Sequence, residues 1–227
     1  LVWMREPAFM KSQIEEKLAD GFHCIKLKIG AINFEKELEL LRLIRENYDA
    51  STIEIRVDAN GGFASSEALF KLNQLSEFKI HSIEQPIQKN QHDSMSELCK
   101  NTPFPIALDE ELIGVFSLAE KEQLLLKIKP QYIILKPSFI GGFRGTQEWI
   151  SLAKKHKIGW WVTSALESNI GLNAIAQWTF LQHNLMPQGL GTGALFTNNF
   201  DCPLQVLQGQ LWYKKELDWA FDFNLFK

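Results

Sequence analysis

Short apolar runs alternate along the chain with longer stretches in which apolar residues recur every three or four positions. The short runs predict β-strands, whereas the longer stretches predict amphipathic helices that bury one face. In the third helix, Leu69, Leu72 and Leu75 mark the face that we expect to be buried. Strands are predicted near residues 1–4, 24–29, 52–58, 80–84, 105–109, 132–136, 159–164 and 188–191. Helices are predicted near residues 10–20, 33–48, 91–100, 116–129, 143–156 and 169–184, with one more that begins at Ser65.

Strands that alternate with helices imply a parallel sheet with helical crossover connections. Eight strands in roughly 200–250 residues favour a closed α/β barrel of the TIM type. A doubly wound open sheet is the alternative, but no glycine-rich GxGxxG turn follows an early strand. We therefore predict one barrel domain over residues 1–198. The aromatic-rich tail, residues 199–227, is expected to pack on the barrel or on a capping domain that this chain lacks.

Composition and charge argue against a nucleic-acid-binding, a membrane-spanning and a disulfide-rich protein. Hydrophobic residues make up 45% of the chain and charged residues 22%, which is ordinary for a globular protein. A net charge of −3 gives no reason to expect a nucleic-acid partner, and no apolar run approaches the roughly 18 residues that cross a membrane. The three cysteines are far apart and form no CxxC pair, which argues against a disulfide framework or a structural zinc site and favours a reducing cytoplasm.

Four predicted strands in the middle of the chain each end in a charged residue. These residues are Asp58, Glu84, Asp109 and Lys136, separated by 26, 25 and 27 residues, or about one strand–helix unit each. In a parallel barrel the carboxyl ends of the strands share one rim, where barrel enzymes keep their active sites. The spacing therefore predicts that three carboxylates and one lysine lie side by side on this rim.

Three neighbouring carboxylates repel each other unless a cation lies among them. An all-oxygen set without His or Cys suits a hard divalent ion, Mg²⁺ first and Mn²⁺ as an alternative. Upstream, Lys26 and Lys28 share one face of a strand, and their apolar neighbours share the other. The two lysines should point into the barrel, where a lysine beside a metal and a second lysine can have its pKa lowered and act as a base. Lys136 would approach from the opposite side.

Each of these residues also has a purely structural interpretation. Asp58 precedes Asn60 and Gly61, a sequence that is more often a turn, and the paired lysines are also typical of an edge strand. The combination favours the site, because four strand ends in register and an inward lysine pair rarely coincide by chance. Asn60, Arg56 and Glu110 are then expected to support the ligands, with Arg56 pairing with a carboxylate.

At this point the residues resemble a known family. The segments KLKIG, VDANGGF, IEQPI, ALDEEL and ILKPSFIGG occur in the order found in the muconate-lactonizing subgroup of the enolase superfamily. The resemblance covers nearly the whole chain and implies a modified (β/α)7β barrel. It also implies that Asp58, Glu84 and Asp109 are metal ligands. Lys28 would be the acid/base catalyst supported by Lys26, and Lys136 would be the opposing lysine.

The choice of reaction depends on the late segments SALESNIGLNAIAQW and GLGTGALFTNN, which resemble those of o-succinylbenzoate synthases. Such enzymes dehydrate a succinyl-hydroxycyclohexadiene carboxylate to an aromatic ring in menaquinone synthesis. The resemblance implies a small carboxylate substrate that contacts Ser164, Gly189, Gly191 and Thr192, partly through backbone N–H groups.

Other activities stay open. An N-acylamino acid racemase can share such a site, whereas dipeptide epimerases of the subgroup usually carry an Asp-x-Asp pair where this chain reads GLGTG. A non-catalytic metal-binding barrel is the third alternative. Members of the family also carry an N-terminal capping domain, so we expect this chain, which starts with an apolar run, to be a fragment that begins at the first barrel strand. The sequence leaves an oligomeric assembly open.

Overall fold

The computed structural model describes residue 2, residues 7–191 and residues 196–220. Within these residues, six parallel strands form one sheet, and seven α-helices alternate with them. The strands are β1 (Cys24–Lys28), β2 (Glu54–Asp58), β3 (Ser82–Glu84), β4 (Ile106–Leu108), β5 (Tyr132–Leu135) and β6 (Gly159–Val162). The helices are α1 (Pro7–Ala19), α2 (Phe34–Asn47), α3 (Ser65–Ser76), α4 (His92–Asn101), α5 (Leu118–Ile128), α6 (Gly142–Lys155) and α7 (Asn169–Phe180), and a short 3-10 helix spans Glu110–Leu112.

The strands pair in chain order, from β1 to β6. Two further bridges extend the sheet at its ends: Val2 pairs with Leu27, and Gly189 pairs with Thr163. These bridges lie where the first and eighth strands are predicted, although Trp3 and Met4 fall outside the described residues. The predicted α/β fold of the modified TIM-barrel class is confirmed by this parallel curled sheet and by the solved structures that it matches.

Local sequence determines where the helices begin and which face they bury. The side chain of Asn33 accepts hydrogen bonds from the backbone N–H groups of Glu35 and Lys36, which caps α2. Ser117 caps α5 in the same way. In α3 the buried residues are Ala68, Leu72 and Leu75, whereas Leu69 is 37% exposed, so the prediction for Leu69 is wrong.

The described part of the tail forms a hairpin, β7 (Leu204–Leu207) and β8 (Gln210–Tyr213). Leu204 and Leu211 pack against the main hydrophobic core, and Gly209 lies against the backbone of Gly21. The remaining aromatic residues of the predicted tail from position 221 onward fall outside the described residues. The hairpin thus makes contact with the barrel, and the domain boundary at 198 stays a prediction.

Two general properties bear on the class of protein. Among the residues that the structure describes, none of the helices combines the length and apolarity needed to cross a membrane. Cys24, Cys99 and Cys202 all carry free thiols.

The packing of α6 depends on a glycine. A β-carbon at Gly145 would fall well inside the van der Waals radius of the carbonyl oxygen of Ile140, and the ammonium of buried Lys121 donates to the carbonyl of Gly145. We expect Gly145→Ala to lower the free energy of unfolding by about 1–3 kcal/mol, because the helix must shift to admit the methyl group.

Urea denaturation measures this loss. Ser151→Ala, at an exposed position in the same helix, is the control and should change stability by less than about 0.5 kcal/mol. Equal stability of the two variants would contradict the assigned packing.

Candidate active site

The strand register brings the predicted site residues to one rim. Lys28 pairs with Asp58 across β1 and β2, and Asp58 pairs with Glu84 across β2 and β3. Because side chains alternate along a strand, residues at one level of neighbouring parallel strands point in the same direction. Lys28, Asp58 and Glu84 therefore form one row at the carboxyl ends of three consecutive strands.

Asp109 and Lys136 continue this row. Asp109 follows β4 directly and precedes the short 3-10 helix, and Lys136 follows β5. The ammonium of Lys136 contacts the carboxylate of Asp109. The structure thus brings together the three carboxylates and the flanking lysines that the sequence predicts.

The ion pairs divide the site into a buried floor and an accessible rim. The ammonium of Lys26 lies 2.9 Å from the carboxylate of Asp58 and also contacts that of Glu84. Lys28 binds the same oxygen of Asp58 at 2.7 Å. The carboxylate side chains are at most 2% exposed, whereas those of Lys26, Lys28 and Lys136 are 22%, 23% and 20% exposed. A molecule that approaches this rim would therefore meet the lysines first.

Burial and charge have opposite effects on the pKa values. Burial raises the pKa of Glu84 well above its ordinary value, and the negative charges of Asp58 and Asp109 raise it further. The attraction of Lys26 lowers the pKa but does not offset these effects. Burial also disfavours the ionised form of Asp58, but Lys26 and Lys28 outweigh it and lower the pKa of that carboxyl group. The pKa values of Glu84 and Asp58 therefore shift in opposite directions, although both carboxylates contact Lys26.

Two lysines, Lys26 and Lys136, are affected by the same two influences. Burial disfavours their ammonium forms, yet Glu84 and Asp58 hold the pKa of Lys26 above its ordinary value, and Asp109 does the same for Lys136. The sequence-based prediction of a lysine with a lowered pKa assumed a divalent cation among the carboxylates. With carboxylates facing the ammonium groups directly, the shift of these two lysines is upward.

The three carboxylates offer the oxygen donors that a hard divalent cation prefers, but lysines contact them in this structure. Glu84 keeps one buried carboxylate oxygen, Oε1, without a hydrogen-bond partner among the described residues. No group of three or more His, Cys, Asp or Glu side chains in that part of the chain is arranged so that it could hold a metal as it stands. The contacts explain why, since Lys26 lies between Asp58 and Glu84, and Lys136 lies on Asp109. A cation would bind here only if these ammonium groups withdraw.

The predicted supporting residues lie around this cluster. Asn60 accepts a hydrogen bond from the ammonium of Lys28, and its amide donates to Glu110 at 2.9 Å. Its backbone N–H donates to Asp58 at 3.0 Å. Asn60 therefore connects the lysine on β1 to the loop that follows Asp109.

Arg56 has a different position. It lies one level below Asp58 on the same strand, and its guanidinium contacts the carboxylate of Glu54 at 2.7 Å and the carbonyl of Pro187 at 3.0 Å. It also stacks 4.1 Å above the ring of Trp161. Arg56 thus pairs with a carboxylate, as predicted, but with Glu54 beneath the site.

Two buried side chains outside the predicted supporting set of Asn60, Arg56 and Glu110 hold the site loops. Gln85 is 1% exposed and accepts a hydrogen bond from the backbone N–H of Asp109. Glu111 is 3% exposed and accepts hydrogen bonds from the backbone of Asn90, and it pairs with His92. Their positions directly after Glu84 and two residues after Asp109 are the sequence signal that could have identified them.

The predicted substrate-binding residues that the structure describes lie next to β6, at the opposite end of the strand order from β1. The backbone N–H of Gly189 donates to Val162, and that of Ser164 donates to Gly189, so both groups already belong to the sheet. Gly189 also has a steric role, because a β-carbon there would lie 2.6 Å from the side chain of Thr163. Gly191 adjoins a cavity of about 200 Å³ under the hairpin. Thr192 falls outside the described residues.

Comparison with known proteins gives consistent matches. The family described as enolase C-terminal domain-like matches residues 10–215. An o-succinylbenzoate synthase of Desulfotalea psychrophila is 56% identical over 93% of this chain and 57% of that protein. An L-Ala-D/L-Glu epimerase of Bacillus subtilis is 25% identical over 81% of this chain and 50% of that protein. The chain thus spans about half the length of these curated relatives.

A solved structure gives the same result. The crystal structure of MenC from Desulfotalea psychrophila superposes with a TM-score of 0.87 at 55% identity. The match covers 92% of this chain and 58% of that one. The chain therefore has the same fold as the matched part of that structure.

Lys26 should hold the two buried carboxylates together in the absence of metal. We expect Lys26→Met to lower the free energy of unfolding by about 3 kcal/mol at neutral pH in the presence of a chelator, because Asp58 and Glu84 lose their shared cation. Urea denaturation measures the change.

Lys11→Met is the matched control, since Lys11 and Glu15 form an ion pair at 3.8 Å with both side chains more than half exposed. This variant should change stability by less than about 1 kcal/mol. If Lys26→Met costs no more than the control, the carboxylates do not depend on Lys26.

Proposed function

The chain belongs to the enolase C-terminal domain-like family of the enolase superfamily, and we propose that it is the barrel of an o-succinylbenzoate synthase. The reaction would be the dehydration of 2-succinyl-6-hydroxy-2,4-cyclohexadiene-1-carboxylate to 2-succinylbenzoate, a carbon–oxygen lyase step of menaquinone synthesis. The 56% identity to a curated synthase supports this choice. That relative is longer than this chain, so the activity proposed is that of the whole protein.

One observation carries the proposal: lysines stand at both ends of a row of three buried carboxylates. Lys28 lies on Asp58 at one end of the row, and Lys136 lies on Asp109 at the other. A substrate carboxylate placed over the row would have a proton-accepting group on one side and a cation on the other. This arrangement suits removal of a proton next to a carboxylate.

Enzymes of the enolase superfamily use divalent metal ions. We infer that the ion here is Mg²⁺, with Mn²⁺ as an alternative, because the donor set consists only of oxygens. Asp58, Glu84 and Asp109 would hold it. When bound, the ion would offset the negative charge that builds on the substrate carboxylate as the adjacent proton leaves.

Lys28 is proposed as the acid/base catalyst. Its neutral amine would take the proton from the ring carbon that bears the carboxylate, and the electron pair of that C–H bond would remain on the substrate. The resulting ammonium would return the proton to the hydroxyl group as its C–O bond breaks. The products are the aromatic ring and one water molecule, so atoms and charges balance with Lys28 unchanged.

The neighbouring groups would support these transfers. Asn60 accepts a hydrogen bond from the ammonium of Lys28 and so fixes its direction. Lys26 would keep a positive charge beside Asp58 and Glu84. Lys136, proposed to remain an ammonium, would attract the developing negative charge from the opposite side. Ser164, Gly191 and Thr192 would contact the substrate. The backbone N–H groups of Ser164 and Gly189 would not take part, because both donate hydrogen bonds within the sheet.

An epimerase or racemase is the second candidate. The opposed lysines favour it, because a two-base racemase needs one proton carrier on each face of its substrate. The 25% identity to a curated dipeptide epimerase also supports it. The absence of an acidic pair in the Gly189–Gly191 region argues against a dipeptide substrate, so N-acylamino acids are the substrates to test.

The synthase is tested with the protein expressed from the start codon of its gene. We expect Mg²⁺-dependent turnover of the cyclohexadiene carboxylate, followed by the ultraviolet change as the ring becomes aromatic. A chelator should abolish it, and Lys28→Ala should lower kcat by at least about 100-fold, since general acid–base catalysis typically contributes that much.

Lys136→Arg separates the candidates, because the guanidinium keeps the positive charge but does not lose a proton near neutral pH and so cannot act as a base. It should leave measurable dehydration and abolish racemisation of N-succinylamino acids, followed by circular dichroism and by exchange of the α-proton in D₂O. A folded, metal-bound protein that racemises but does not dehydrate would refute the synthase. Lys71→Arg, on α3, is the control and should change neither activity.

A further inference from the structure

Gln85 occupies an unusual place beside the proposed metal ligands. It follows Glu84 directly, is 1% exposed and has a φ angle of +39°, a left-handed conformation that non-glycine residues seldom adopt. Such a conformation costs free energy and persists where the surrounding contacts hold it. The residue is therefore held in place by its partners.

The partners of Gln85 belong to three consecutive strand-end loops. Its backbone N–H donates to Ala107 on β4 at 2.9 Å, and its carbonyl accepts from Gly61 in the loop after β2 at 2.7 Å. Its side-chain amide donates to Ile87 in its own loop at 3.0 Å. The remaining amide oxygen accepts from the backbone N–H of Asp109 at 3.2 Å.

The contact with Asp109 has a specific consequence. Asp109 lies just beyond β4, where the ladder has ended, and its backbone N–H would otherwise be buried without an acceptor. An unpaired buried amide is costly, so the loop would move if Gln85 were lost. Because Glu84 and Gln85 are adjacent in the chain, one side chain fixes the backbone of Asp109 relative to that of Glu84.

We propose that Gln85 is a positioning residue that sets the separation between the second and third metal-binding carboxylates. The proposal deepens the function above and depends on the metal site assigned there. Divalent ions tolerate little error in the placement of their ligands, and residues that orient ligands typically change metal affinity 10–100-fold. Gln85 acts on the metal only through the loop of Asp109.

Gln85→Met tests this, because methionine has a similar length but neither donates nor accepts like an amide. We expect the Mn²⁺ dissociation constant, measured by isothermal titration calorimetry, to rise at least about tenfold. Gln88→Met is the matched control in the same loop, where the side chain is exposed, and should leave the constant unchanged. Thermal unfolding confirms that each variant is folded at the titration temperature.

A double-mutant cycle separates positioning from a general loss of stability. In an Asp109→Asn background, the added loss from Gln85→Met should shrink to less than about threefold, because the ligand that Gln85 positions is already impaired. Unchanged affinity in Gln85→Met, or equal losses in both backgrounds, overturns the proposal.

Hydrogen exchange provides a readout that needs no metal. The backbone amide of Asp109 should exchange about tenfold faster in Gln85→Met and at the parental rate in Gln88→Met. If the parent chain binds no Mn²⁺, the metal site under the proposed function is refuted, and the exchange rate still decides whether Gln85 holds the loop. Parental exchange at Asp109 in Gln85→Met overturns the proposal by itself.

Discussion

The repulsion among three buried carboxylates is the constraint around which this barrel is organised. Asp58, Glu84 and Asp109 lie at neighbouring strand ends with almost no exposure, where each negative charge is poorly solvated. Two of them share Lys26, the third lies on Lys136, and Glu84 still has an upward pKa shift. Such a cluster costs stability, and perturbed carboxyl groups of this kind are typical of functional sites.

The backbone around the carboxylates shows how that cost is tolerated. The loops after β2, β3 and β4 are joined by main-chain and side-chain hydrogen bonds that converge on Gln85, and Glu111 holds the next part of the β3–α4 loop. Asn60 links the lysine of β1 to Glu110. These hydrogen bonds therefore keep the three loops together against the repulsion between the carboxylates that they carry. A looser rim would relieve the repulsion by moving the carboxylates apart.

The clustering of the three carboxylates and the lysines at one rim could be predicted from the sequence. It follows from the two-residue period of a strand and from the spacing of the strand ends. The same rules explain what was missed. In α3, residues 68, 72 and 75 repeat close to the helical period, whereas Leu69 lies about 100° away, so its hydrophobicity was misleading. The β7–β8 turn uses Gln208 and Gly209, both with positive φ, instead of the usual Asn-Gly signal. Gln85 was missed because side-chain alternation along a strand predicts that it points away from Glu84 and the rim. Its left-handed backbone instead directs its side chain to the loop of Asp109.

The layer beneath the carboxylates explains why their charges are balanced by lysines and not by an arginine. Arg56 carries a permanent positive charge one level below Asp58, close enough to seem a natural counterion. Its guanidinium is instead bound by Glu54 and Pro187 and stacked on Trp161, which itself packs with Ala107 and Ile134. An arginine that reached upward would neutralise the carboxylates permanently and compete with any metal ion. Lysines can withdraw and, unlike arginine, can also lose a proton, so charge balance by Lys26, Lys28 and Lys136 leaves the rim able both to admit a cation and to move a proton.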